Sequence, residues 1–115
     1  MQVRIRSGAL IDWIQFVAAD GSTQSWGSET GGCEAPPFDL ALDEHIVRVA
    51  AQQGDSLDGL RLHTTRGRES QWYGGRGGRP QEFAAPPGDP IVALERAPHD
   101  FCPRIARAVR LSEAR

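Results

Sequence analysis

The sequence predicts an all-β fold, and three observations predict it. Short runs alternate apolar and polar residues with a period of two, as in Ile14-Gln15-Phe16, Val47-Arg48-Val49 and Leu60-Arg61-Leu62, the pattern of strands buried on one face. The 13 Gly and 8 Pro are spread over all 115 residues and punctuate those runs at roughly even spacing, as turns between short strands do. The pattern G-x-x-x-D occurs as Gly8-Ala9-Leu10-Ile11-Asp12 and again as Gly54-Asp55-Ser56-Leu57-Asp58, offset by 46 residues, so one β unit is used twice. A sandwich, a barrel or a prism of repeated hairpins meets all three conditions.

The units divide the chain at about residues 3–45, 46–90 and 91–115 within one domain, which is what this length supports. In the first two, the offset of 46 carries Ile14 onto Leu60, Phe16 onto Leu62, Gly21 onto Gly67, Trp26 onto Trp72 and Gly31-Gly32 onto Gly77-Gly78. Trp26 and Trp72 therefore read as equivalent residues that close the core. Trp13, opposite in strand parity to Ile14, reads as exposed. The third unit opens on Ile91-Val92-Ala93-Leu94, an echo of Ile46-Val47-Arg48-Val49, and then loses the motif. Alternative loop alignments put His99 and Pro103, or Pro103 and Arg107, where Gly and Asp belong. In residues 103–115, an initial Pro with Ile105 and Val109 four apart allows a short helix. Ala108-Val109-Arg110-Leu111 alternates as Gly59-Leu60-Arg61-Leu62 does, and the strand is the reading adopted.

Composition excludes several classes. Hydrophobic residues are 39% and charged residues 24% of the chain, enough for one modest core and against wholesale disorder. No run approaches the roughly 18 apolar residues of a membrane span. Met1-Gln2-Val3-Arg4-Ile5 has no apolar secretory region, so the chain is expected in the cytoplasm or as part of a larger exported protein. A net charge of −2 argues against a domain built to grip nucleic acid, and the single Gly74–Pro80 run with two arginines does not change that. Cys33 and Cys102 are expected as free thiols. A zinc site from Cys33, His99 and Cys102 lacks a fourth ligand. His45, His63 and His99 fall on separate units, and no base is paired with a nucleophile, so catalysis is not expected.

The repeated motif suits another task. Glycine heading a tight loop permits positive φ and gathers backbone N–H groups into one concavity. An aspartate four residues on adds two acceptor oxygens, and a Gly-Gly pair from a neighbouring loop adds an N–H that no side chain shields. Backbone donors with one carboxylate suit a neutral polyhydroxylated ring and need no metal or cofactor.

The stretches that carry this pattern resemble the jacalin-related lectins. They are Arg6-Ser7-Gly8-Ala9-Leu10-Ile11-Asp12-Trp13-Ile14-Gln15-Phe16, Asp20-Gly21-Ser22, Gly54-Asp55-Ser56-Leu57-Asp58-Gly59-Leu60 and Trp72-Tyr73-Gly74-Gly75-Arg76-Gly77-Gly78, with Phe83, Pro87, Gly88 and Ile91-Val92 following in the family's order. The 74–78 loop is similar to that of a mannose-binding member. The resemblance implies a β-prism of three four-stranded Greek-key sheets about a pseudo-threefold axis. The third sheet is expected to be incomplete or altered at the termini, because the chain starts where the family's second strand would lie.

It further implies that the motif aspartate accepts from sugar hydroxyls, that the two preceding residues offer N–H groups, and that a glycine of the paired loop completes the pocket. One site then comprises Gly8, Leu10, Ile11, Asp12 and Gly32, the other Gly54, Ser56, Leu57, Asp58 and Gly78. Galactose-preferring members use a free N-terminal glycine made by cleavage, and none is visible, so glycans of the mannose or glucose type are the implied ligands. The absent strand leaves a sheet edge that a second copy would cover in a homodimer. The rival function is an interaction or assembly scaffold of the same fold that binds no sugar.

Overall fold

The computed structural model describes residues 1–98 and 102–114; His99, one of the residues aligned with the degenerate third motif, lies outside them. Strands β1 (Gln2–Ser7), β2 (Ile11–Val17) and β3 (Thr23–Gly27) form an antiparallel meander. The chain then returns through β4 (Cys33–Glu34) and β5 (Phe38–Asp39), both of which pair with β1. Pro36-Pro37 separates the two short strands, because proline has no N–H to give a ladder. Three consecutive strands with a fourth returning beside the first make a Greek key.

The second unit has the same order: β6 (Ile46–Gln53), β7 (Leu57–Thr64) and β8 (Tyr73–Gly74), with β9 (Arg79–Ala84) back on β6. Register keeps the offset seen in the sequence, Val3 facing Phe16 in the first unit and Val49 facing Leu62 in the second. The third unit is a hairpin of β10 (Ile91–Arg96) and β11 (Ile105–Arg110), ended by a 3-10 turn at Leu111–Glu113. The C-terminal segment is thus a strand. The hairpin joins the second sheet at Ile91–Ile46. This is a β-prism whose third sheet is short of strands.

The alternation that marked the strands also builds the core. Val3, Ile5, Ile14 and Phe16 from the first unit meet Val49, Ala51, Leu57, Leu60 and Leu62 from the second and Ala93, Leu94 and Ile105 from the third, all buried. Where strands are missing, two side chains take their place. Trp26 Nε1 donates to the Leu94 carbonyl of β10 at 2.8 Å. The buried Gln53 carboxamide accepts from the Ile105 N–H at 2.9 Å and donates to the Ile105 carbonyl at 2.9 Å, which is the pair of bonds a neighbouring strand would make. The expected second copy was to cover this edge; two of its backbone positions are already occupied from within the chain.

The tryptophans correct the sequence reading. Trp26 lies opposite Ile14, and Tyr73 lies opposite Leu60. Ile14 and Leu60 are equivalent, so Tyr73, not Trp72, holds the position of Trp26. The register therefore slips by one residue before β8 and recovers in the following loop. Trp72 instead fills the space above Gly59, where an added Cβ would sit 2.7 Å from its ring. Gly59 is the counterpart of Trp13, so an indole covers this place in both units, Trp13 from β2 and Trp72 from just before β8. Trp13 is accordingly 5% exposed, not exposed as its parity suggested, because the Arg4 guanidinium lies over its ring at 5.4 Å. Cys33 and Cys102 are both free, and no helix is long and apolar enough to cross a membrane.

The opposite end of the second sheet is held by one buried carboxylate. Glu44 accepts from Arg68 Nε at 2.7 Å and Nη2 at 2.8 Å, from Thr64 Oγ1 at 2.7 Å and from the Ala41 N–H at 3.1 Å. The Arg68 guanidinium, helped by Thr64 and Ala41, outweighs burial and holds the Glu44 carboxyl down at about 2. A depressed carboxylate stabilises the fold above its unfolded value and loses that contribution as pH falls through the folded one. Stability monitored by urea unfolding is therefore expected to decline from about pH 4.5 towards pH 2, less steeply in Glu44→Gln, which at neutral pH costs about 1.5–3 kcal/mol. Gln53→Leu strands two backbone groups of Ile105 at about 1–3 kcal/mol each, so its unfolding midpoint is expected to drop by more than that of a surface change such as Leu42→Ala.

Candidate functional site

The two motif loops are built alike. Each leaves one strand of a hairpin and is closed within three residues, the Gly8 N–H donating to the Leu10 carbonyl at 2.9 Å and the Gly54 N–H to the Ser56 carbonyl at 3.0 Å. Neither Gly8 nor Gly54 has positive φ, so the conformational reason expected for these glycines does not hold; the turn hydrogen bond does that work. Positive φ occurs instead in the partner loops, at Gly32 and Gly78.

Asp12 and Asp58 both face their diglycine. A Cβ on Gly31 would lie 3.0–3.1 Å from the Asp12 carboxyl group, and one on Gly32 would collide with Asp12 Oδ2 and lie 2.6 Å from the Ser7 carbonyl. In the second unit it is Gly77 whose Cβ would collide with Asp58 Oδ2, whereas Gly78 packs on the Gln53 backbone, its Cβ position 2.6 Å away. The backbone can approach the carboxylates only because these positions carry no side chain. The Asp12 carbonyl takes the Ser28 N–H and the Asp58 carbonyl takes the Gly75 N–H, each at 2.8 Å, which ties each aspartate to its Gly-rich loop.

Hydrogen-bond accounting then separates groups committed to the fold from groups left for a ligand. Among the described residues, the carboxylates of Asp12 and Asp58 accept no hydrogen bond and pair with no arginine. The amides of Ala9, Leu10 and Gly32, and of Asp55, Ser56 and Gly78, likewise donate to no group of the described residues. The Leu57 N–H is different: it is given to the Pro103 carbonyl at 2.8 Å. Ile11 and Leu57 are also fully buried core side chains. Of the second-site positions that resemblance placed just before the aspartate, Leu57 therefore has its N–H committed to the fold. Ser56 and Leu10 remain, but the other available donors come from Asp55 and Ala9, which sequence reasoning passed over. Leu10 is 39% exposed and sits where its side chain can border a ligand.

Around Asp58 the surface is concave, a hollow of about 460 Å³ lined by Gly54, Asp55, Ser56, Asp58, Gly78 and Arg79, within the size range of small-ligand sites. Four of the five residues expected for the second site line it; Leu57 does not. In the first unit Arg6 braces the loop from outside, its Nε donating to the Gly31 carbonyl at 2.8 Å and its Nη2 to the Gly32 carbonyl at 3.0 Å. The loop of the second unit is braced differently: Trp72 Nε1 donates to the Gly75 carbonyl at 2.9 Å, with the Arg76 guanidinium 4.5 Å above the indole. The hollow at Asp58, with fixed donors around one unpaired carboxylate, has the parts to bind hydroxyl groups, and among the described residues no acid, base or nucleophile is paired there as catalysis requires.

Comparison with known proteins bears on the fold and the family. The family described as the jacalin-like lectin domain matches residues 1–95. Among solved structures, the Malaysian banana lectin superposes with a TM-score of 0.66 at 25% identity, over 79% of this chain and 68% of that one. A mannose-binding jacalin-related lectin from Ananas comosus gives 0.65 at 23% identity, over 81% and 69%. Jacalin in complex with T-antigen gives 0.70 at 17% identity, over 95% and 87%. No curated protein matches the chain. With a β-prism fold and a family match over residues 1–95, the chain belongs to the jacalin-like lectin domain family.

Proposed function

We propose that this domain binds glycans of the mannose or glucose type through two sites. Ala9, Leu10, Asp12 and Gly32 form one; Asp55, Ser56, Asp58 and Gly78 form the other. One observation carries the reading: in both units, among the described residues, one motif carboxylate without a hydrogen-bond partner lies beside three backbone amides that donate to no protein group. Amides donate to ring and hydroxyl oxygens and the carboxylate accepts from two hydroxyls, so adjacent hydroxyls of a sugar are read by position. Charge-assisted bonds of this kind are the stronger sort, and shallow sites built from a few of them hold a monosaccharide at a Kd of order 1 mM. Two sites on one rigid domain raise avidity for a branched glycan by ~10²–10⁴ where the branches reach both.

Titration with methyl α-mannoside, followed by amide chemical shifts, tests this. Shifts are expected at both loops. Asp12→Ala is expected to silence the first loop alone and Asp58→Ala the second alone, each losing at least about tenfold in affinity, and the double variant is expected to bind nothing. No response by the unmutated protein would leave the sugar-free scaffold as the better account. Glycine replacements give a steric check. Gly77→Ala places a methyl against Asp58 Oδ2 and is expected to weaken the second site. Gly8 has open space and no positive φ, so Gly8→Ala is expected to leave stability within about 0.5 kcal/mol and mannoside binding unchanged at the second site.

A further inference from the structure

Beside the hollow around Asp58 lies another of about 470 Å³, which shares Gly54, Asp55 and Arg79 with it and adds Gln81 and Arg104 to its walls. We infer that this second hollow is an extension subsite, taking the next sugar unit of a glycan whose terminal residue sits against Asp58. The inference rests on the lectin reading above and adds a difference between its two sites.

Three observations support it. The chemistry is mixed in the way a neutral sugar unit requires: Arg79 and the Gln81 amide supply donors, Asp55 supplies an acceptor and Arg104 forms part of the wall. A purely anionic group would meet the Asp55 carboxylate in the same hollow. The walls are also fixed in advance. Arg104 Nη1 donates to the Gly54 carbonyl at 3.0 Å, the Leu57 N–H reaches the Pro103 carbonyl at 2.8 Å, and Gln53 Nε2 donates to Gln81 Oε1 at 2.8 Å. The last bond leaves the Gln81 NH2 available. The degenerate third unit, which has no site of its own among the described residues, thus serves as a buttress and wall for the second, and preorganised walls lose little entropy on binding.

Finally, the first unit cannot build the same thing. At the offset of 46, Asp55, Arg79 and Gln81 correspond to Ala9, Cys33 and Ala35, and Arg6, the basic residue beside that site, is held by the Gly31 and Gly32 carbonyls and by Glu34 at 3.5 Å. The first site is therefore a monosaccharide site and the second an extended one.

The test compares methyl α-mannoside with an α-linked mannobiose, reading each site through its own amides, Leu10 and Gly32 against Ser56 and Gly78. The disaccharide is expected to bind about tenfold more tightly than the monosaccharide at the second site, the gain of one or two charge-assisted bonds, and equally at the first. Arg104→Ala is expected to bring the ratio at the second site to about one. Because Arg104 also braces the Gly54 loop, Arg79→Ala keeps the test sound: Arg79 is exposed and, among the described residues, its side chain bonds to no group of the fold, and the same collapse is expected. Monosaccharide binding with no preference for mannobiose at the second site, or a ratio untouched by Arg79→Ala, overturns the extension while leaving the lectin reading standing. Silence towards both sugars at both sites overturns the two together.

Discussion

Both sites depend on a backbone passing within contact distance of a carboxylate. A carboxylate in a shallow hollow normally recruits a nearby guanidinium or amide of its own protein, and in a chain with 13 arginines partners are plentiful. Here Asp12 and Asp58 are walled by glycines whose missing side chains let main chain fill the space an arginine would take. Arg6 and Arg76 beside the loops are engaged elsewhere, on carbonyl oxygens and on the Trp72 ring, and Arg79 lines the hollow of Asp58 without pairing with it among the described residues. What keeps the carboxylates unpaired is therefore packing rather than distance from positive charge. The cost of leaving an acceptor unmatched is small where water can reach it, and it is recovered when hydroxyls arrive.

The shortened third sheet shows the same economy of backbone groups. A β-prism with strands absent should expose ladder positions on β10 and β11, and unpaired edges invite association. Trp26 and Gln53 answer two of those positions with side-chain atoms. Gln53 is buried beneath the second site, and its amide also reaches Gln81. One residue consequently mends the incomplete sheet and sets a wall beside the ligand hollow, so fold repair and site construction are one event in this molecule.

How much of this the sequence showed depends on which force decides each feature. Strand alternation and the spacing of 46 are set by burial, which acts on side-chain type and is visible in any one chain. The all-β class and the two aspartates facing diglycines were legible for that reason. Tyr73 replacing Trp72 was not, because a one-residue slip before β8 is compensated within the next loop and leaves the flanking glycines in register. Trp13 misled for a different reason: parity gives the face a side chain points to, but not whether an arginine stem covers that face. The Leu57 amide could not be assigned from the motif at all, since its partner, Pro103, belongs to a unit 46 residues further on with no recognisable motif. Gly8 and Gly54 suggested special backbone angles, and the special angles belong to Gly32 and Gly78.

The two motif loops are also coupled mechanically. A Cβ on Gly75 would collide with the Ala9 carbonyl, and one on Gly74 would sit 3.1 Å from Ile11 Cδ1. The Gly-rich loop of the second site therefore rests directly on the motif loop of the first, main chain against main chain. Separation and relative orientation of the sites are then set by backbone packing, which yields little, rather than by flexible side chains or a linker. A ligand with two branches gains only if its own geometry matches that fixed interval, because effective concentration falls away when the span does not suit. On the proposed two-site reading, selectivity resides less in either motif loop, each reading a few hydroxyls, than in the rigid contact at Ala9 and Gly75 that would decide which branched glycans reach both.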